Sequence, residues 1–88
     1  MRVVIAGCGR FGSTLALRLA AEGHDVTIID DDIGQLERFL PADFPGRSMH
    51  GDGVDEDVLR EAGIENADAF VATMKGDNHK LLDLDIFR

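Results

Sequence analysis

Two spacings of apolar residues alternate along this chain: short continuous runs of strand length, and longer stretches with helical spacing. The first run, Val3-Val4-Ile5-Ala6, lies in a strand over Arg2–Ala6. From Arg10 to Glu22 the apolar positions Phe11, Leu15, Leu19 and Ala20 repeat as on one face of a helix, and Gly23 stops it. Val26–Ile29 is a second continuous, β-branched run, the kind buried on both faces of a parallel sheet. A short helix is predicted over Ile33–Leu40, with Leu36, Phe39 and Leu40 inward, before Pro41 and Pro45-Gly46 force a loop. A third strand, Arg47–His50, ends at Gly51-Asp52-Gly53. A third helix covers Glu56–Ala62: Asp55 can cap it, Glu56 and Asp57 suit the positive end of its dipole, and Gly63 closes it. The fourth strand is Ala69–Thr73. After the turn Lys75-Gly76-Asp77, a fourth helix is predicted from near Asn78 to Arg88.

Strands alternating with helices predict an α/β fold: a Rossmann-like parallel sheet of about four strands with helices on both faces. Right-handed crossovers then favour the strand order 3-2-1-4. With no repeat and no linker, residues 1–88 read as a single, partial Rossmann-type nucleotide-binding domain. In that arrangement the fourth strand is an exposed edge, which is an association hazard. The apolar face of the fourth helix (Leu81, Leu82, Leu84, Ile86, Phe87) has little to cover. Both features predict a homodimer or larger assembly through these two elements.

The chemistry lies where the first strand meets the first helix. Gly7-Cys8-Gly9-Arg10-Phe11-Gly12 is a G-x-G-x-x-G turn, and Asp30 follows eighteen residues after its last glycine. The motif is weak alone. Between a strand and a helix, with an acid about 20 residues on, it points to a bound nucleotide. Gly7 allows the tight turn, Gly9 lets a pyrophosphate approach the backbone, and Gly12 lets the helix pack on the strand. The free N–H groups at the helix start and the positive end of its dipole attract the phosphates. Arg10 either contacts a phosphate or pairs in solvent with a nearby acid. Asp30, ending the second strand, can accept from both ribose hydroxyls and would repel a 2′-phosphate, so NAD(H) or another adenosine nucleotide with free hydroxyls is preferred to NADP(H). Asp31 and Asp32 serve either this site or the cap of the second helix. Asp52, beside Gly53 at the carboxyl edge of the third strand, serves either an adenosine or the turn. Cys8, Phe11 and Thr73 stand in the same loops and edge and are counted with the site.

Composition narrows the classes of function. Seventeen acids against nine bases give a net charge of −8, which argues against nucleic acid or an anionic lipid surface as partner. No apolar run reaches the ~18 residues of a membrane span, and Met1-Arg2-Val3 enters a strand directly, so neither membrane insertion nor a signal peptide is expected. One cysteine excludes an internal disulfide and fits a reducing compartment. Cys8 lies at a helix N-terminus, where thiol pKa values tend to fall, so a redox role stands beside that of a small residue at a variable position. His24, His50 and His79 do not have the spacing of a metal site. The second mononucleotide half that hydride transfer would need is missing, so the chain is not expected to be an enzyme.

Beyond the glycine turn, Val26-Thr27-Ile28-Ile29-Asp30, Gly51-Asp52 and Val58-Leu59-Arg60-Glu61-Ala62-Gly63-Ile64-Glu65-Asn66-Ala67-Asp68-Ala69 resemble the TrkA N-terminal, or RCK N-lobe, family. These are the regulatory nucleotide-binding domains of potassium transport proteins. The likeness runs from Met1 to about Thr73, and the stretch from Val58 to Ala69 sets it apart from ordinary dehydrogenases. The resemblance implies a cytoplasmic domain, held at the inner membrane through a transporter or channel subunit, that binds NAD(H) or ATP/ADP and gates potassium flux. It implies that Gly7, Gly9, Arg10 and Gly12 hold phosphates, that Asp30 binds ribose and that Asp52 lies by the adenosine end. Three departures stand out. Gly53 and Val54 follow Gly-Asp where the family has a small residue and then Thr or Ser. The segment Asp77-Asn78-His79-Lys80 lacks or shifts the usual Asn. The family's domains continue through further strands and helices, so this chain reads as truncated at its C-terminus. The alternative reading is a cofactor-binding fragment of an NAD-dependent oxidoreductase.

Overall fold

A computed structural model describes residues 1–73 and 85–87. In chain order it contains β1 (Arg2–Ala6), α1 (Arg10–Ala21), β2 (Asp25–Asp30), α2 (Ile33–Phe39), β3 (Arg47–His50), α3 (Glu56–Glu61), a 3-10 turn (Ile64–Asn66), β4 (Ala69–Ala72) and β5 (Asp85–Phe87). The sheet order is β3-β2-β1-β4-β5. The first four strands are mutually parallel in the expected order 3-2-1-4, so the fold is Rossmann-like α/β.

Strand register explains how the continuous apolar runs are used. Val3 is level with Val26 and Ala69, and Ile5 with Ile28 and Val71. These positions share one face, where Val3, Ile5, Val26, Ile28 and Val71 pack with Cys8, Ala16 and Leu36 beneath α1 and α2. The intervening positions Val4 and Ile29 pack on the other face with Ala62, Val58, Leu59 and Phe70, under α3 and the 3-10 turn. Ile5, Ile28, Ile29, Val3 and Val26 are fully buried. Each contributes roughly 1.5–3 kcal/mol through removal from water. Because α1 and α3 cover opposite faces, the chain changes sides between β1 and β4. The crevice at the carboxyl ends of these strands is where such sheets take ligands.

Two expectations are overturned at the far edge. A helix from near Asn78 to Arg88 is excluded over Asp85–Phe87, which form β5; residues 78–84 and 88 lie outside the described residues. β5 runs antiparallel to β4, with Phe70 opposite Phe87, Val71 opposite Ile86 and Ala72 opposite Asp85. The physical reason is the unpaired ladder of N–H and C=O groups along β4, which a short strand can satisfy and a helix cannot. β4 is therefore not a bare edge, and the assembly argument built on it loses that premise. Among the described residues, no helix is long and apolar enough to cross a membrane.

Candidate functional site

α1 begins differently from the other α-helices. The Asp32 side chain caps α2 by accepting from the N–H of Gly34 at 2.9 Å. The Asp55 side chain caps α3 by accepting from Asp57 at 2.8 Å and Val58 at 3.4 Å. At α1 the capping position is Gly9, which offers no side chain, and the first turn holds no acid. The first N–H groups of any helix lack an intrahelical partner, so α1 presents open donors and an uncompensated dipole.

The three glycines of the turn meet three different surroundings. Gly7 has φ +112°, and a Cβ there would lie 2.1 Å from Thr73 Oγ1. A Cβ on Gly12 would lie 2.0 Å from the Gly7 carbonyl oxygen. Both are required by the protein itself. Among the described residues, a Cβ on Gly9 would meet nothing within 4 Å, and its φ of −109° is open to any residue. The described residues leave the space above Gly9 clear although their own packing does not need it clear.

The flanking residues are placed as follows. Asp30, 8% exposed, accepts the Cys8 N–H on Oδ2 at 2.7 Å and the Asp32 N–H on Oδ1 at 2.8 Å. Its carboxylate stands beside the glycine turn, as the spacing implied, and is already engaged with backbone. Thr73 sits across the turn, its Oγ1 within 3.3 Å of the Ala6 carbonyl and 3.4 Å of the Gly7 carbonyl. Asp52 is exposed, and Oδ1 accepts from Val54 N–H at 3.0 Å. Gly53 passes over the end of β1, where a Cβ would come 2.9 Å from that of Ala6. The loop after β3 is tied to the end of β2 by Gly51 N–H donating to the Asp30 carbonyl at 2.9 Å, with the His50 ring 3.0 Å from the Asp31 carbonyl. Arg10 and Phe11 are exposed on the first turn of α1, and among the described residues no carboxylate pairs with Arg10.

Of the two readings of Cys8, the structure fits the small residue rather than the redox group. Its side chain is fully buried in the α1–α2 face, with Sγ 3.7 Å from the Gln35 carbonyl. Burial, and secondarily the Asp30 charge, push the thiol up from 9.0 to about 11. The helix terminus that would lower it is outweighed by loss of water and a neighbouring anion. A redox role has no support from such an inert group.

Ile33, 53% exposed, and Val54, 83% exposed, are apolar side chains left in solvent that are not among the expected site residues. Ile33 opens α2 just after β2 and Val54 sits in the loop after β3, at the same carboxyl edge. The available signal was an apolar residue beside a helix start, and for Val54 its place where the family has Thr or Ser. Among the described residues, no group of three or more His, Cys, Asp or Glu side chains could hold a metal ion.

Comparison with known proteins agrees with this geometry. A family model described as the TrkA-N domain matches residues 3–84. The "Trk system potassium uptake protein TrkA" of Streptomyces coelicolor is 50% identical over 82 residues, which is 93% of this chain and 36% of that protein. A TrkA homolog from Methanothermobacter thermautotrophicus is 41% identical over the whole chain and 40% of its own length. One from Archaeoglobus fulgidus is 43% identical over 93% of this chain and 18% of its own. The chain thus spans between 18% and 40% of the length of these relatives.

Proposed function

The chain belongs to the TrkA-N domain family, and from that premise we propose that it is a regulatory nucleotide-binding domain of a potassium uptake system. The observation that carries this reading is the start of α1: among the described residues it has no side-chain cap, no acid in its first turn and nothing above Gly9. The other two α-helices fill that position with aspartate. A pyrophosphate there would receive the N–H groups of the Gly9–Gly12 turn and a charge-assisted contact from Arg10. Asp30 retains lone pairs for ribose hydroxyls, since a carboxylate has about four acceptor sites and two are taken by backbone. Asp52 and Gly53 lie toward the adenosine end, and Ile33 and Val54 offer apolar surface for a base. The ligand class is NAD(H) or ATP/ADP.

The role is regulatory rather than catalytic. Nucleotide occupancy would be passed to a potassium-transporting membrane subunit, with this domain on the cytoplasmic side. Calorimetry with NAD⁺, NADH, ATP, ADP and AMP tests the core of the proposal. Comparable affinity for ATP and NADH is expected. A strict demand for the nicotinamide would favour an oxidoreductase fragment instead, and no binding of any of them would overturn the reading.

A further inference from the structure

The carbonyl of Gly7 and the N–H of Cys8 belong to one peptide unit, whose N–H is held by one side chain and whose carbonyl is approached by another. Asp30 Oδ2 accepts the N–H at 2.7 Å from β2. Thr73 Oγ1, just past the end of β4, lies 3.4 Å from the carbonyl, and its one proton is shared with the Ala6 carbonyl at 3.3 Å. The same carbonyl faces Gly12 so closely that a Cβ there would stand 2.0 Å away. Asp30 is itself fixed: it is buried, and Oδ1 accepts the Asp32 N–H at 2.8 Å. The orientation of this peptide sets the direction in which the chain leaves the turn, and hence where the next N–H groups point.

We propose that Asp30 is a positioning residue for the phosphate loop, fixing the Gly7–Cys8 peptide so that the N–H groups from Gly9 onward are aligned for a phosphate whether or not the ligand carries ribose hydroxyls. This rests on the reading of the loop as a phosphate site. It makes a prediction opposite in sign to simple electrostatics. A carboxylate beside a polyphosphate repels it, so removing that charge should tighten the binding of a ligand with no ribose hydroxyls. If Asp30 aligns the loop, removing it weakens that ligand, because donors that are not preorganised bind less well.

The test uses the full chain and two probes, ADP and 2′,3′-dideoxy-ADP, with Asp30→Ala and Asp30→Asn. Asp30→Ala should weaken dideoxy-ADP by about tenfold, equivalent to roughly 1.4 kcal/mol. Asp30→Asn keeps one acceptor for the Cys8 N–H and should recover part of that loss. Unchanged or tighter binding of dideoxy-ADP to Asp30→Ala would overturn the proposal and leave Asp30 as a ribose ligand alone. Amide hydrogen exchange without ligand separates this result from failure of the nucleotide reading. Cys8 and Asp32 should exchange at least about tenfold faster in Asp30→Ala, while β1 amides keep their protection as proof of folding. Nucleotide binding with unchanged Cys8 protection sinks the positioning role and spares the nucleotide site. Faster Cys8 exchange in a protein that binds neither probe sinks the nucleotide site, and with it the alignment for phosphate, while leaving the Asp30–Cys8 contact as structure only.

Discussion

Gly12 and Cys8 show how single atoms decide what this loop tolerates. A methyl group on Gly12 would be driven against a backbone oxygen 2.0 Å away, and a backbone neighbour cannot rotate aside. Gly12→Ala is expected to lower stability by about 2–3 kcal/mol, measured by urea denaturation. An unchanged midpoint would mean that α1 can shift off the turn at little cost. Cys8 makes a pH prediction. The folded thiol holds its proton to about 11, against 9.0 in its ordinary state. Between these values the unfolded chain has released a proton that the folded chain keeps, so stability falls as pH rises. The expected slope is about −1.4 kcal/mol per pH unit across that window. Cys8→Ala, which has no thiol, should lack this part of the slope in parallel denaturation series at pH 8 to 11. Identical slopes would show that the thiol is not shielded as its burial implies.

At the scale of the element, the helix starts differ in a way that can be reversed by one substitution. Asp55→Ala should cost α3 about 1 kcal/mol, seen in the denaturation midpoint, because two N–H groups lose their acceptor. Gly9→Asp should do the opposite for α1. The position is extended and meets no described residue within 4 Å of a Cβ, so an aspartate can cap the helix there as Asp32 and Asp55 do for theirs. Stability should rise by a few tenths of a kcal/mol to about 1 kcal/mol, while ADP binding, followed by calorimetry, is lost to the new charge. A variant that is more stable and still binds ADP would place the phosphates elsewhere. The caps at Asp32 and Asp55 and the first four strands were legible in the sequence because they depend on neighbours a few residues away and on uninterrupted apolar runs. β5 was not. Asp85–Phe87 fit a helical face equally well, and what makes them a strand is an edge of β4 fifteen residues back in the chain. The place of Asp30 was legible, but not its bond to Cys8, which spans 22 residues. Which of the two readings of Cys8 holds was not legible, because α2, packed over the thiol, outweighs the local rule for helix termini.

For the molecule as a whole, the candidate site carries a conflict between near and far electrostatics. The net charge is −8, and among the described residues the carboxyl edge of the sheet bears exposed Asp31, Asp32, Asp52 and Asp55, with Glu56 and Asp57 beside them in ion pairs with Arg60, and Arg10 exposed on the first turn of α1. The molecule measures 30 × 26 × 22 Å. At 0.01 M salt the screening length is about 30 Å, so every one of these charges acts on an approaching nucleotide. At 0.1 M it falls to about 10 Å, and the distant acids are largely silenced. The contacts expected at α1 act within hydrogen-bonding distance and are little affected by that change. Raising salt over this range should therefore speed the association of ADP and tighten its dissociation constant, measured by stopped-flow and calorimetry. This is opposite to the behaviour of a site that captures phosphates with a basic patch, where salt weakens binding. Arg10→Ala removes the attractive charge nearest the phosphates and should make the gain with salt larger. A wild-type affinity that falls with salt would mean that Arg10, rather than the backbone of the glycine turn, dominates the grip on phosphate.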